Sequence, residues 1–215
     1  MKKILLVFLF IVPSFLFSFC QTTQFETYKV KDFGYISIPN NLELQSGIYK
    51  LHMETYLRQI NPYDYEIPTN RAAFQQKGVN KGEKTNTYAR VIVVTYVDLP
   101  GTYEKLNNVT PPTQPEIKEL NSFFKSSIEE SFMNTRLKLL NWYGTDWVKI
   151  NSSYAIRYSY LRKLQGRPPV YVEVYGFLNN DRTHYITLSY RQEDKNLWQP
   201  LYKKILESIK INAIE

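Results

Sequence analysis

The sequence predicts an α+β domain in which an antiparallel sheet is sandwiched by helices, a three-layer α/β/α architecture. Residues 88–99 are apolar in both alternating sets, which is typical of a central strand covered on both faces. Residues 154–191 contain three strand-like segments joined by short polar turns, which indicates an antiparallel meander. Amphipathic patterns at 113–143 and from about 197 onward predict two helices that cover the two faces of the sheet.

The central strand is the strongest of the predicted strands. One alternating set of its apolar residues is Val91, Val93 and Val97, and the other is Ile92, Val94 and Tyr96. Residues 33–39 also alternate and end at a Pro-Asn-Asn turn, so we expect a strand there. Residues 41–60 fit either a short helix or an irregular strand, and 71–77 fit a strand closed by Gly78. We expect a loop-rich insert at about 48–87.

The first predicted helix begins with a capping box, in which Thr113 is the N-cap and Glu116 is residue N3. Helical spacing then continues to about Tyr143. The apolar residues at that spacing are Ile117, Leu120, Phe124, Ile128, Phe132, and Leu139 or Leu140. A second helix is expected to start near Leu197, with Pro200 in or near its first turn, where a missing N–H costs least. Its buried face is predicted to carry Leu201, Ile205 and Ile209.

The predicted meander lies between these two helices. Its strands are Tyr154–Lys163, Val170–Leu178 and His184–Arg191. The connections are Gly166-Arg167-Pro168-Pro169 and Asn179-Asn180-Asp181, both of which are typical of tight turns. Residues 209–211 fit either a helix terminus or a short final strand.

This succession of elements resembles the PsbP-like superfamily, the fold of the photosystem II extrinsic protein and of a Ran-binding nuclear import factor. The resemblance covers about residues 30–212. The segments that carry it are Tyr35-Ile36-Ser37-Ile38-Pro39, Val172-Glu173-Val174-Tyr175, Tyr185-Ile186-Thr187-Leu188-Ser189-Tyr190 and Ile205-Leu206-Glu207-Ser208-Ile209-Lys210. It implies a non-enzymatic binding or accessory domain, here as an exported bacterial member. No binding residue transfers, since no functional motif matches position by position.

The N-terminus is expected to be a secretory signal peptide. Lys2 and Lys3 precede an apolar run from Ile4 to Phe17, which is slightly short for a membrane span and is interrupted by Pro13. Ser18 and Cys20 are small residues at positions −3 and −1 if cleavage follows Cys20. We therefore expect a signal at 1–20 and a single domain at 21–215, secreted or periplasmic. The alternative is a lipid anchor on Cys20, although Phe19 departs from the usual lipoprotein box.

Composition excludes several classes of protein. Charged residues make up 22% of the chain and aromatic residues 15%, which is unlike a disordered protein. The net charge of +7 becomes about +5 without Lys2 and Lys3, and the lysines are scattered, so we expect no nucleic-acid partner. Membrane contact is expected only if Cys20 is lipidated. Because Cys20 is the only cysteine, its removal would leave a domain without disulfides, expected to be a monomer.

No catalytic, cofactor or metal motif stands out, and we expect no enzymatic activity, cofactor or metal. His52 and His184 are too few for a histidine-rich metal site, and His184 is expected to be an exposed turn histidine. The Gly-x-Ser-x-Gly elbow and the glycine-rich phosphate loops are absent from the sequence. Asp146 is expected in a turn, bonding local backbone. Glu173 is expected in a strand, facing outward if Val172 and Val174 face the core.

The 18 tyrosines leave one candidate binding surface in the meander. Arg157, Ser159, Leu161 and Lys163 alternate against Ile156, Tyr158, Tyr160 and Arg162, while Tyr171, Glu173, Tyr175 and Phe177 oppose Val170, Val172 and Val174. Aromatic and basic residues could share an open face; the favoured interpretation is that the long helix covers it. We expect an exported binding or accessory protein whose partner is an envelope protein or glycan. The alternative is an envelope hydrolase, acting on glycans or esters, with a site assembled only by the fold.

Overall fold

A computed structural model of the chain describes residues 23–60 and 70–214, with side chains described for 23–55 and 70–214. The elements are β1 (Phe25–Val30), β2 (Gly34–Pro39), β3 (Leu42–Leu44), α1 (Gly47–Ile60), β4 (Arg71–Gln76), β5 (Ala89–Val97), α2 (Gln114–Phe132), β6 (Leu137–Ile150), β7 (Ser153–Leu164), β8 (Val170–Asn179), β9 (Arg182–Arg191), α3 (Lys195–Glu207) and β10 (Lys210–Ile211). The expectations about residues 1–20, including the fate of Cys20, lie outside the described residues.

Within the described residues the strands form two antiparallel sheets. The larger sheet has seven strands in the order β3-β4-β5-β9-β8-β7-β6, and the smaller has the order β1-β2-β10. The meander is β7, β8 and β9, as the sequence predicted. The chain leaves β5 in the interior of the large sheet and crosses through α2 to β6 at the far edge. This crossover places α2 over the β6 end of the sheet.

One face of the large sheet, called here the α3 face, is covered by α3 and by the small sheet. Its core includes Val91 and Val93 of β5, Ile186 and Leu188 of β9, and Ile205 of α3, all 0% exposed. Burying an aliphatic side chain of this size contributes roughly 1.5–3 kcal/mol. The large central core on this face is therefore the main source of stability.

The other face, called here the α2 face, is covered by α2 around β6, β7 and β8. Phe124 of α2 stacks on Tyr158 with ring centroids 4.6 Å apart, and Ile128 and Phe132 pack near Tyr160. No residue of α2 is fully buried, although Val172 and Val174 beneath it are. The large sheet is thus covered on both sides, which confirms the α+β sandwich; the small sheet adds strands to one outer layer.

The first long helix starts as predicted but ends earlier. Glu116 Oε2 accepts hydrogen bonds from the backbone N–H and the hydroxyl of Thr113, at 2.6 and 2.7 Å. The helix ends at Phe132, and Asn134 adopts a left-handed conformation with φ of 61°, so the predicted continuation to Tyr143 is wrong. Residues 137–150 form β6 instead, paired along β7. Leu139 and Leu140 therefore belong to a strand, because β7 supplies backbone partners that the local pattern could not reveal.

The uncertain segment 48–87 contributes a helix and a strand. Residues 47–60 form α1, and the strand predicted at 71–77 is β4, which pairs with β5. At the other end of the chain, Pro200 lies in the second turn of α3 rather than its first, because the helix already begins at Lys195. Ile209 is buried just beyond the helix, at 5% exposure.

The last strand, β10, closes the small sheet by pairing with Tyr35 and Gly34 of β2. A Cβ atom built on Gly34 would lie 2.0 Å from the carbonyl oxygen of Lys210, and the φ of Gly34 is 138°. Only glycine meets both conditions. Among the described residues, no helix is long and apolar enough to cross a membrane.

Candidate functional site

His184 is the clearest correction to the expected sites. It is not an exposed turn residue: it lies within β9, and its exposure is 0%. Its Nδ1 is 2.9 Å from the Thr95 hydroxyl, and Asn179 Nδ2 is 3.0 Å from its Nε2. Because Asn179 Nδ2 can only donate, His184 Nε2 accepts, and Nδ1 carries the proton of a neutral ring. Burial lowers the pKa of His184 to about 4, so the ring is neutral at pH 7.

The alternation of β7 and β8 places charged and aromatic side chains together on the α3 face. Arg157 and Ser159 of β7 share this face with Tyr171, Glu173 and Tyr175 of β8. Glu173 therefore opposes the two neighbouring valines, as expected, but it faces the α3 layer and is half-buried rather than directed into open solvent.

Both interpretations of the meander tyrosines apply, each to a different face. Tyr158 and Tyr160 lie under α2, where they are core residues, as the favoured interpretation held. Tyr171 lies on the α3 face and is only half-buried, on the same face as Arg157. Helix α2 therefore covers Tyr158 and Tyr160, but it does not cover the opposite face of the sheet, which carries Arg157 and Glu173.

A bulge in β6 places Tyr143 on the same face as Asp146, although the two are three residues apart. The pairing of β6 with β7 shifts between Trp142 and Gly144, and Gly144 has a φ of 110°. Trp142 faces α2, where its Nε1 donates to Asn121 Oδ1 at 2.8 Å. Tyr143, 49% exposed, instead contacts Tyr171 with ring centroids 5.6 Å apart. The bulge therefore brings a second tyrosine to the charged surface.

Arg157 joins two carboxylates at this surface. Its Nη2 pairs with Asp146 of β6, and its Nη1 lies 3.6 Å from Glu173 Oε1. Asp146 is therefore in a strand and not in the expected turn. The side chain of Glu173 is only 17% exposed, and burial raises its pKa although the charge of Arg157 opposes the rise. Two acids that are 27 positions apart in the sequence thus meet at one guanidinium.

The tyrosines of this face form a continuous row that leads from the surface to the core. Ring centroids are 5.6 Å apart from Tyr143 to Tyr171, 5.3 Å from Tyr171 to Tyr190, and 5.5 Å from Tyr190 to Tyr202. Tyr202 is buried against Trp198 of α3. Burial raises the pKa of Tyr190 to about 12, so its hydroxyl stays protonated at neutral pH.

We call Tyr143, Asp146, Arg157, Tyr171 and Glu173 the tyrosine–acid surface. It combines exposed ring area with two carboxylates and one guanidinium, all carried by paired strands rather than loops. Sequence reasoning missed Tyr143 because the helical pattern was extended across it. The signal that could have located it was Gly144, which is unfavourable in a helix but common at a bulge.

The surface is accessible at Tyr143, which is 49% exposed, and at Asp146, whose side chain is 57% exposed. Two concavities of about 390 and 420 Å³ lie elsewhere, one along the first half of α2 and the other beside β10. Among the described residues, no group of three or more histidine, cysteine, aspartate or glutamate side chains could hold a metal ion.

Comparison with known proteins bears on the fold. No protein-family model matches the sequence, and no curated protein matches it. The solution structure of cyanobacterial PsbP (CyanoP) from Synechocystis is similar, with 9% identity and a TM-score of 0.51; the match covers 90% of this chain and 95% of that one.

A protein from Bacteroides thetaiotaomicron VPI-5482 also matches, with 5% identity and a TM-score of 0.43. That match covers 84% of this chain, which spans only 45% of the Bacteroides protein. At such low identity a structural match speaks to fold alone. The chain therefore has the PsbP-like fold that its strand and helix order resembles.

Proposed function

We propose that the protein is an exported, non-catalytic binding or accessory domain of a bacterial envelope, and that it binds a glycan through the tyrosine–acid surface. The proposal of export depends on the signal-like N-terminus, with Lys2 and Lys3 before an apolar run. The proposal of binding depends on the α3 face of β6, β7 and β8.

The contact between the exposed Tyr143 and the half-buried Tyr171 carries this proposal. A tyrosine ring offers a large, rigid apolar surface with a polar tip, which suits stacking against the C–H face of a sugar. Asp146 and Arg157, at 57% and 35% side-chain exposure, lie beside the rings and can hydrogen-bond sugar hydroxyls in pairs. An apolar platform edged by planar polar groups is what a saccharide needs.

The test measures glycan binding with one matched control. Purified protein would be mixed with insoluble peptidoglycan and with a panel of soluble neutral oligosaccharides, and the bound fraction measured. Tyr143→Ala should weaken binding about tenfold or more, equivalent to ~1.4 kcal/mol or greater. Tyr35→Ala removes a tyrosine that is 38% exposed on the small sheet, and it should bind like the wild type. Equal binding by both variants, or none by the wild type, contradicts the glycan proposal.

A hydrolase remains the second candidate because of one observation. The raised pKa of Glu173 and the exposed position of Asp146 give two carboxylates different environments on one face, as acid and base pairs often have. Arg157, which pairs with both, argues against it. Turnover of a glycan or ester panel that is lost in Glu173→Gln would establish this candidate in place of the binding domain.

The N-terminus of the natural protein distinguishes the released form from the lipid-anchored form. Mass spectrometry of the protein isolated from its envelope fraction should show a chain that begins at Gln21. An acyl chain on Cys20 would instead establish the lipid-anchored alternative.

A further inference from the structure

Residues 212–214, called here the C-terminal segment, follow β10 and are fastened to the domain by a buried side chain. Asn179, the last residue of β8, is 0% exposed. Its Nδ2 donates to the carbonyl oxygen of Asn212, and its Oδ1 accepts from the backbone N–H of Ile214, both at 2.9 Å. The N–H of Asn212 also donates to the carbonyl oxygen of Phe33 at 2.9 Å. One side-chain amide therefore holds both ends of the C-terminal segment.

The backbone of the C-terminal segment fixes the orientation of the Asn179 amide. A peptide carbonyl can only accept a hydrogen bond and a peptide N–H can only donate one, so Nδ2 must face Asn212 and Oδ1 must face Ile214. The second hydrogen of Nδ2 is then left for His184 Nε2, which is 3.0 Å away. Since Nε2 has to accept, the chain end is satisfied only while His184 is neutral.

A second proton on His184 is incompatible with this arrangement. An imidazolium ring donates from both nitrogens, so its Nε2–H would face the N–H of Asn179 Nδ2 in a buried place. Rotation of the amide presents Oδ1 to His184 and removes this conflict. The same rotation breaks both bonds to Asn212 and Ile214, because it exchanges the donor and the acceptor. Hydrogen bonds to a charged group are the stronger ones, so protonation favours the rotated amide.

The surroundings of His184 keep its ring neutral at pH 7. Phe33 packs edge-on against the ring with centroids 5.4 Å apart, and residues 212–214 carry no titratable side chain. Burial, and after it the charge of Arg182, lowers the pKa of His184 to about 4, while Asp181 opposes the change. Asp32, in the turn after β1, lies 3.8 Å from Arg182. The neutral ring therefore holds at pH 7 and is lost as the pH falls toward 4.

We propose that Asn179 and His184 form an acid-sensitive latch, in which protonation of His184 rotates the Asn179 amide and releases the C-terminal segment. The release is local, because the pairing of Lys210 with Tyr35 in the small sheet does not involve Asn179. None of these residues belongs to the tyrosine–acid surface, so the latch does not depend on the glycan proposal.

A nuclear magnetic resonance titration of ¹⁵N-labelled protein from pH 7 to 4 tests the latch. At pH 7 the ring nitrogens of His184 should show a proton on Nδ1. On acidification, the amide signals of Asn212 and Ile214 should shift with the same midpoint as the His184 ring, while the amide signal of Tyr35 stays in place. Segment signals that do not follow His184 overturn the proposal. Loss of the Tyr35 signal together with them does so too, because it indicates global unfolding.

Two variants separate the latch from other groups that titrate in this range. His184→Gln can still accept from Asn179 and donate to Thr95 but has no proton to gain, so its segment signals should not shift with pH. Asn179→Asp places a carboxylate beside the ring, and it should raise the midpoint of His184 by about one pH unit or more. Glu215 lies outside the described residues, and its carboxyl also titrates near pH 4. An unchanged shift of the segment signals in His184→Gln would assign the shift to Glu215 and overturn the latch.

Discussion

Arginine side chains have different partners on the two faces of the seven-stranded sheet. On the α3 face, Arg157 lies between Asp146 and Glu173, and its charge is compensated within the protein. On the α2 face, the described hydrogen-bond partners of the Arg71 and Arg90 guanidiniums are the neutral oxygens of Gln45 and Tyr49. Both sets of arginines are half-buried and lie on strands, so secondary structure does not explain the difference.

The comparison indicates what each surface can recognise. A guanidinium that is paired with carboxylates, such as Arg157, donates directed hydrogen bonds without creating a strong electrostatic field. Beside exposed tyrosine rings, such a group suits an uncharged ligand that is rich in hydroxyls. Among the residues that the structure describes, no carboxylate lies within 4.0 Å of the Arg71 or Arg90 guanidinium, so the pairing seen at Arg157 has no counterpart there.

The largest difference between the faces should appear in their packing. Ile186→Ala removes a side chain that is 0% exposed in the α3-side core, and it should cost about 2–5 kcal/mol of unfolding free energy. Ile128→Ala removes a half-buried side chain of α2, and it should cost about 1 kcal/mol, since part of its surface already meets solvent. Urea denaturation of both variants measures the difference. Equal costs would show that α2 packs as tightly as α3.

The buried His184 should make stability depend on pH. Its pKa is about 4 in the folded protein against about 6.5 when unfolded, so unfolding takes up a proton between those values. Stability is therefore fully present above pH 6.5 and declines as the pH falls to about 4, by roughly 3 kcal/mol. The raised pKa of Glu173 acts with the opposite sign. Denaturant midpoints measured from pH 7 to 4 should show the decline in wild type and a shallower one in His184→Gln.

Removing an arginine should have opposite signs on the two faces. Arg157→Gln leaves Asp146 and Glu173 near each other without a cation, and it should cost about 1 kcal/mol, because the site is partly screened by solvent. Arg90→Gln removes repulsion from Arg71 and should be neutral or stabilising. Calorimetric melting of the two variants in parallel would show it. Destabilisation of similar size in both would mean that the α2 face holds its own counter-charge.

The smallest effect on stability is expected for Tyr143→Ala. The side chain is 49% exposed on an outer strand, so the variant should unfold within about 0.5 kcal/mol of wild type. We expect the substitution to reduce glycan binding without a comparable change in stability. A large destabilisation would show that the row of tyrosines serves packing rather than recognition.

Local patterns predicted the segments whose partners lie nearby in the chain. The capping box at Thr113, the strand around Ile36 and the meander from Tyr154 to Arg191 all follow from side-chain periodicity and turn residues. The apolar residues of 137–143 fit both periodicities over a short stretch, which favoured a continuation of the helix to about Tyr143. Pairing with β7 decides between helix and strand, and the spacing of apolar residues carries no information about that pairing.

The site was less predictable than the fold for the same physical reason. Glu173 and the meander tyrosines could be assigned to alternating faces, but which face would be covered depended on where α2 crossed the sheet. The meeting of Asp146 with Arg157 depended on the register of β6 and on the bulge at Gly144. His184 was expected at the surface because it follows a turn, yet Asn179 and Thr95 bury it.

The sequence by itself determined the α+β class, the central two-sided strand, the meander and the start of α2. These depend on periods of 2.0 and 3.6 residues and on local turn chemistry, which short stretches of chain express without help. Tertiary structure alone decided which arginines acquired acidic partners. Charge compensation depends on distances across strands, and residues such as Asp146 and Glu173 come together only when the sheet forms.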